Sequence, residues 1–184
     1  TVLIAGDLSW SMGMEEAKAE LDFVAALPGR KIISKGNHDY WWGSITKLNA
    51  MYPNMDFIQN NFFAYEDYAI CGTRGWVLPG SVLFKEEDEK IYQRELLRMR
   101  MSLDAAKKAG YDKFIVMIHY PPVNETFKDS AFTDIFEEYE VEKVIYGHLH
   151  GNSLKRVMTG YRKGVEYILT SVDFIDFDPI LLIG

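Results

Sequence analysis

Short apolar runs alternate with longer helical patterns along this chain, and this alternation constrains the fold more than any other feature. Val2–Ala5, Lys31–Ser34 and Phe114–Ile118 have the composition of buried strands, and the third is apolar throughout. Continuous apolar strands are typical of sheets covered on both faces. Met14–Leu27 and Lys85–Ala109 have the apolar spacing of helices. The alternation predicts an α/β fold.

The rest of the chain extends this pattern into a tail rich in strands. Lys143–Tyr146 predicts a further strand, and strand-like runs follow at Tyr167–Thr170 and Ile180–Ile183. No internal repeat, low-complexity tract or linker interrupts the sequence. We therefore expect one domain over residues 1–184, which is within the usual size of a single domain.

Composition narrows the partners and the compartment. The formal net charge of −7 argues against nucleic acid as a partner. No apolar run approaches the roughly 18–20 residues that cross a bilayer, so no membrane partner is expected. Cys71 is the only cysteine, which indicates a small buried hydrophobe and a reducing, cytoplasmic setting.

All four histidines of the chain follow apolar strands. His38 follows the strand that ends at Ser34, His119 directly follows Ile118, and His148 and His150 follow Tyr146. The first strand ends in the same way, at Gly6-Asp7. Because the carboxyl ends of strands in α/β sheets share one crevice, we expect these segments to converge there.

The residue types in these segments suit a divalent metal ion. Imidazole, carboxylate and amide oxygen are ligands for manganese, iron, zinc or nickel. A lone histidine or a lone Gly-Asp is more often structural, so the prediction depends on the whole set. In Gly147-His148-Leu149-His150, alternate side chains of an extended segment would point the same way, towards one site.

These motifs closely resemble those of the calcineurin-like metallophosphoesterase superfamily, with Trp-rich flanks similar to a bacterial branch of predicted phosphohydrolases. The matching segments, in family order, are Gly6-Asp7, Gly36-Asn37-His38-Asp39, His119 and Gly147-His148-Leu149-His150. The resemblance implies two facing mixed β-sheets flanked by helices. It also implies a centre of two divalent metal ions and hydrolysis of phosphate esters.

The resemblance implies a role for each motif residue. Asp7 bridges both ions, and His150 binds the first ion. Asn37, His119 and His148 bind the second ion. His38 stands beside the metals near the scissile phosphate, and Asp39 orients His38.

One family motif, Asp-x-His, is absent from this sequence. In the family it provides two ligands of the first ion and precedes the Gly-Asp strand. We expect that strand and motif upstream of Thr1, which would make this domain incomplete at its N-terminus. As written, the first ion keeps only Asp7 and His150.

The expected function is hydrolysis of a phosphomonoester or phosphodiester by a metal-activated hydroxide, with a small phosphate ester or a phosphoprotein as substrate. In such a centre the cations make bound water acidic near neutral pH. His38 is the candidate general acid. The alternative is a non-catalytic scaffold with a degenerate one-metal site, and a metal-free interaction domain is a third reading.

Aromatic residues and one arginine near the motifs suggest where the rest of a substrate would bind. Trp10, Trp41 and Tyr120 are the candidate aromatic contacts, and Arg74 is a candidate phosphate ligand. The alternative is that these aromatics only wall and pack the loops. Sequence alone leaves both interpretations open.

Overall fold

The computed structural model describes residues 1–184 and has two β-sheets with helices on their outer faces. The strands are β1 (Val2–Ile4), β2 (Lys31–Ser34), β3 (Met55–Ile58), β4 (Phe62–Tyr65), β5 (Tyr68–Thr73), β6 (Lys113–Ile118), β7 (Lys143–Tyr146), β8 (Gly160–Arg162) and β9 (Val165–Leu169). The helices are α1 (Met14–Ala26), α2 (Ile45–Leu48), α3 (Asp88–Lys108) and α4 (Ala131–Glu138), with a 3-10 turn at Gly151–Lys155. This is the predicted α/β fold.

The two sheets differ in strand direction. The smaller sheet has the order β1-β2-β3, and its strands are all parallel. The larger has the order β4-β5-β6-β7-β9-β8, with antiparallel hairpins at both edges around a parallel centre. Only the larger sheet is therefore mixed. In the smaller sheet β1 is an edge strand, paired on one side with β2.

Three apolar clusters hold the layers together. The layer between the sheets consists of Ile32, Ile58, Ile70, Ile115, Met117 and Ile145. A cluster of 19 buried residues joins α3 and α4 to the outer face of the larger sheet. A cluster of eight joins α1 and α2 to the smaller sheet. Apolar burial on both faces explains why the central strands are continuously hydrophobic.

Two segments of the chain differ from the sequence-based expectation. Ile180–Ile183 forms no strand; instead Leu182 and Ile183 pack against the inter-sheet cluster as irregular chain. Strand-like hydrophobicity there reflects partial burial, not backbone pairing. The second segment is α3, which spans Asp88–Lys108 and so begins three residues after the expected start at Lys85.

Cys71 has the expected character. It is buried in the cluster beneath α3, and burial raises the pKa of its thiol to about 12. A thiol with so high a pKa is unreactive at neutral pH. No helix is both long and apolar enough to cross a bilayer.

Candidate functional site

Four of the predicted site residues lie together at the carboxyl ends of β1, β2, β6 and β7. We call Asp7, Asn37, His119 and His148 the acceptor cluster. Its segments are joined by backbone contacts, since the Gly147 amide donates to the His119 carbonyl at 3.2 Å. The convergence expected from strand topology is present for these four.

The contacts within the acceptor cluster gather two imidazole nitrogens around one amide oxygen. His119 Nδ1 lies 2.8 Å from the Ala5 carbonyl oxygen, which can only accept, so the proton is on Nδ1. The other ring nitrogen, Nε2, lies 2.8 Å from Asn37 Oδ1 and 3.4 Å from Asp7 Oδ2. His148 Nδ1 is 2.8 Å from the same Asn37 oxygen and 3.2 Å from His119 Nε2.

The electrostatics of the acceptor cluster favour a bound cation. Burial, with help from His119, lowers the pKa of His148 to about 4. Burial raises the pKa of Asp7, but hydrogen bonding and charge from His119 and His38 outweigh it, so that this pKa ends below its usual value. At neutral pH the cluster thus contains an ionised carboxylate and a neutral imidazole.

The residues present fit a metal ion only when the amide is counted. No group of three His, Cys, Asp or Glu side chains could hold a metal ion here. The Asn37 oxygen is the atom that both imidazoles contact. Imidazole nitrogens with amide and carboxylate oxygens form a set suited to a divalent transition metal.

Tight backbone packing holds the two loops of the acceptor cluster together. A Cβ added to Gly36 would lie 2.0 Å from Asp7 Oδ1 and 2.2 Å from the Asp7 amide nitrogen. Only glycine therefore allows this approach.

His148 has a φ of +71°, so the Gly147–His150 segment is not extended. The argument that alternate side chains there point the same way was wrong.

Asp39 braces these loops instead of meeting the ring of His38. Its fully buried carboxylate accepts backbone N–H groups from Gly36 at 2.7 Å, Asp7 at 2.9 Å and Ser9 at 3.1 Å. Burial raises the pKa of Asp39, although the Gly36 and Ser9 amides oppose the shift. The expected hydrogen bond that would orient His38 is not made, because both oxygens are engaged by the backbone.

His38 is positioned by a different pair of contacts. Its backbone amide donates to Asp7 Oδ1 at 2.8 Å. Its ring stacks on Trp10, with centroids 4.0 Å apart and planes 16° apart. Trp10 is 68% exposed, so the stacked pair lies on the solvent side of the loops. The signal for this contact in the sequence was only that Trp10 closely follows Asp7.

His150 stands apart from the acceptor cluster. Its ring is exposed, and its Nδ1 lies 2.8 Å from Asp173 Oδ1. The other oxygen of Asp173 accepts the Gly151 amide at 2.9 Å. His150 and Asp7 nevertheless line the same cleft. Sequence reasoning missed Asp173, which has no motif around it.

The candidate substrate residues divide between packing and exposure. Trp41 is only 4% exposed, lies in the core beneath α1 and donates to the Ser9 carbonyl. Tyr120 is buried with its ring 4.3 Å from that of His148. Both therefore pack within the loops, as the alternative interpretation expects. Only Trp10 is exposed.

Arg74 lies outside the acceptor cluster. Its backbone carbonyl accepts the amides of His119 and Tyr120 at 3.0 and 3.1 Å. Its guanidinium, however, lies over the ring of Trp76, 4.3 Å from the centroid. The side chain lines a separate pocket with residues of α3.

An apolar cleft of about 570 Å³ opens beside the acceptor cluster. The edge strand β1 forms one wall, and the irregular segment 179–183 forms another. Asp7, His119 and His148 line it together with His150. The cleft thus connects the cluster to solvent along the unpaired edge of the smaller sheet.

Solved structures and a family model are similar to this chain. A solved structure of the Thermus thermophilus sulfate thiohydrolase SoxB in complex with glycerol is similar over 92% of this chain, at 11% sequence identity and a TM-score of 0.46. The chain spans 33% of the length of that protein. No curated protein matches the chain.

The comparison with sequence families is the informative one. The sequence model described as calcineurin-like phosphoesterase matches residues 1–152. The matched region is far more than half of the chain and contains every residue of the acceptor cluster, as well as His38 and His150. The chain therefore belongs to the calcineurin-like phosphoesterase family.

Proposed function

We propose that this chain hydrolyses a phosphomonoester or phosphodiester with divalent metal ions held at the acceptor cluster. The contact of Asn37 Oδ1 with both His119 Nε2 and His148 Nδ1 carries the proposal. Asn37 Oδ1, His119 Nε2 and His148 Nδ1 lie 2.8–3.2 Å from one another, so a single cation can contact all three. The lowered pKa of His148 keeps its ring neutral near pH 7, and a neutral ring has a nitrogen lone pair to offer a metal ion.

The proposed ligand set follows the family resemblance. Asn37, His119 and His148 would hold one ion, and Asp7 would contribute to this ion and to a second. Two divalent ions, as manganese, iron, zinc or nickel, supply charge that stabilises a reacting phosphoryl group and makes water more acidic. Close packing against Gly36 and a hydrogen bond from the Asp7 amide to the Asp39 carboxylate hold Asp7 within the cluster.

The second ion needs ligands beyond Asp7. His150 lines the same cleft, and we propose that it turns from Asp173 to bind this ion.

His38 is the proposed general acid. Its amide is fixed on Asp7 Oδ1, and its ring lies on the solvent side against Trp10. Imidazole titrates near neutral pH and suits this role. The substrate class stays broad: a small phosphate ester or a phosphoprotein. A cytoplasmic setting is also proposed, from the single buried thiol.

The test measures metal content and turnover on the same protein. The purified chain is loaded with manganese, dialysed, analysed for metal, and assayed on an aryl phosphate and a bis-aryl phosphate. Asn37→Ala should lose the metal and the activity, because it removes the central oxygen. Asn152→Ala, an exposed asparagine, is the matched control and should retain both.

The metal content and the turnover together distinguish an enzyme from a metal-binding scaffold. Bound manganese with turnover supports the enzyme, and the preferred ester identifies the substrate class. Bound manganese without turnover, even in a protein extended upstream of Thr1, would favour a metal-binding scaffold. A chain that binds no manganese, or an Asn37→Ala variant that binds as tightly as the parent, contradicts the proposal.

A further inference from the structure

A second pocket lies near the acceptor cluster, at the same carboxyl ends of the strands. It has a volume of about 320 Å³ and is lined by Lys35, Trp42, Gly43, Gln59, Arg74, Arg94, Glu95 and Arg98. We call it the basic pocket. Lys35, Gln59 and Arg74 follow β2, β3 and β5, whereas the acceptor cluster is built after β1, β2, β6 and β7. The two sites have no residue in common.

We propose that the basic pocket binds a phosphate-like oxyanion. Four of its lining side chains are cationic and only Glu95 is anionic. This excess occurs in a chain of net charge −7, so it is a local feature and not a consequence of composition. Clefts lined by one sign of charge concentrate ions of the opposite sign.

Glu95 cannot neutralise its neighbours. Its side chain is 1% exposed and accepts from Thr73 Oγ1 at 2.5 Å and Arg98 Nη1 at 2.7 Å. Arg94 approaches it at 3.6 Å and Arg74 only at 4.0 Å. One carboxylate with these partners has little capacity left, so most of the guanidinium charge remains available to a ligand.

Arg74 is held in place before any ligand arrives. The guanidinium of Arg74 lies 4.3 Å from the centroid of the Trp76 ring, and the Trp76 indole donates to Asp88 at 2.8 Å. Arg74 Nε is buried and has no hydrogen-bond partner. Burial lowers the pKa of Arg74 and Glu95 opposes the shift. Fixed guanidinium groups lose little entropy when they bind an anion.

The lining identifies the class of ligand. Trp42 is the only hydrophobic residue in the pocket, which argues against a lipid chain or an apolar peptide side chain. Guanidinium groups match the geometry of phosphate oxygens. The oxyanion is either a free phosphate ion or a second phosphate of the substrate, and the latter case rests on the proposed function.

Phosphate titration of the metal-free protein tests the pocket independently of catalysis. Inorganic phosphate is titrated into the chain in excess chelator, and binding is measured by calorimetry. Chloride keeps the ionic strength constant. Arg94→Gln should weaken phosphate binding by about tenfold or more, as expected for a lost charge-assisted hydrogen bond. Arg94 is half exposed, so this variant should fold normally, as a thermal melt will show.

Lys90→Gln is the matched control, because Lys90 is an exposed cation of the same helix outside the pocket. It should bind phosphate as the parent does, and so should His148→Ala. The proposal is overturned if the parent binds no phosphate, if Arg94→Gln binds it equally well, or if Lys90→Gln loses as much affinity. A network that only fastens α3 to the sheet gives the first of these results.

A second experiment separates the two sources of the oxyanion. KM is measured with manganese for an aryl monophosphate and for an ester with a second phosphate. If the substrate fills the pocket, Arg94→Gln raises KM for the second ester alone. If free phosphate fills the pocket, Arg94→Gln changes neither KM. The metal-free Arg94→Gln variant still binds phosphate less tightly than the metal-free parent does. Failure of catalysis itself would leave the calorimetric result intact.

Discussion

The acceptor cluster and the basic pocket lie at the same carboxyl ends of the strands, and their side chains suit ligands of opposite charge. In the first, two imidazole nitrogens and the Asn37 side-chain oxygen lie 2.8–3.2 Å from one another. In the second, four cations face a single carboxylate. Loops after parallel strands build both sites, so the same scaffold can prepare a place for a cation and a place for an anion. The difference lies in side chains alone.

The largest loss of activity should come from a change at His38, because the proposed function places turnover at the acceptor cluster and not at the basic pocket. His38→Ala should lower kcat by about 10²–10⁴-fold through loss of proton transfer. Manganese and phosphate binding should stay at parental levels, because the ring contacts neither site's ligating atoms. Steady-state kinetics on an ester with a poor leaving group is the measurement. Normal turnover of that ester would remove His38 from the mechanism.

Next in size is the cost of crowding the acceptor cluster. Gly36→Ala should reduce the free energy of unfolding by about 3 kcal/mol, because its Cβ would overlap Asp7. Gly43→Ala, where an added Cβ meets nothing within 4 Å, should change it by less than about 0.5 kcal/mol. Urea denaturation checks both variants. Equal stability of the two would show that the loops do not pack as described.

A third prediction addresses the basic pocket. Glu95→Gln should reduce the free energy of unfolding by about 2 kcal/mol in phosphate-free buffer, because it leaves the guanidinium groups without their carboxylate. Added phosphate should then raise the melting temperature more than it does for the parent, because the pocket becomes more positive. Glu86→Gln, at an exposed position, is the control. A phosphate effect identical in parent and Glu95→Gln would contradict the charge argument.

The smallest predicted effect concerns Trp10. Trp10→Ala should change stability by less than about 0.5 kcal/mol, because the side chain is largely exposed. Loss of its stack on His38 should reduce kcat about threefold to tenfold for aryl and alkyl phosphates alike. A loss restricted to aryl esters would show instead that Trp10 contacts the substrate.

Sequence reasoning predicted the α/β fold and the convergence of Asp7, Asn37, His119 and His148, since strand ends lie on one rim by topology. It could not predict that His148 has a left-handed backbone or that Asp39 binds backbone amides. Such details depend on how two loops from different strands pack against each other. Residue types alone do not contain that information.

The basic pocket escaped prediction for a different reason. Lys35, Arg74 and Arg94 are far apart in the sequence, and no spacing connects them. Charges on a helix are usually solvated, and the burial of Glu95 becomes visible only when α3 lies on the sheet. The run Ile180–Ile183 was mistaken for a strand because hydrophobicity reports burial but not backbone pairing.

The proposed function requires the acceptor cluster to hold a divalent cation. Anomalous diffraction from a crystal of the chain grown with manganese would locate that ion. We predict a manganese peak bounded by Asn37 Oδ1, His119 Nε2 and His148 Nδ1, with these atoms moved apart to bind it. A crystal with no peak there, in which the Asn37 oxygen still contacts both imidazoles, would contradict the account.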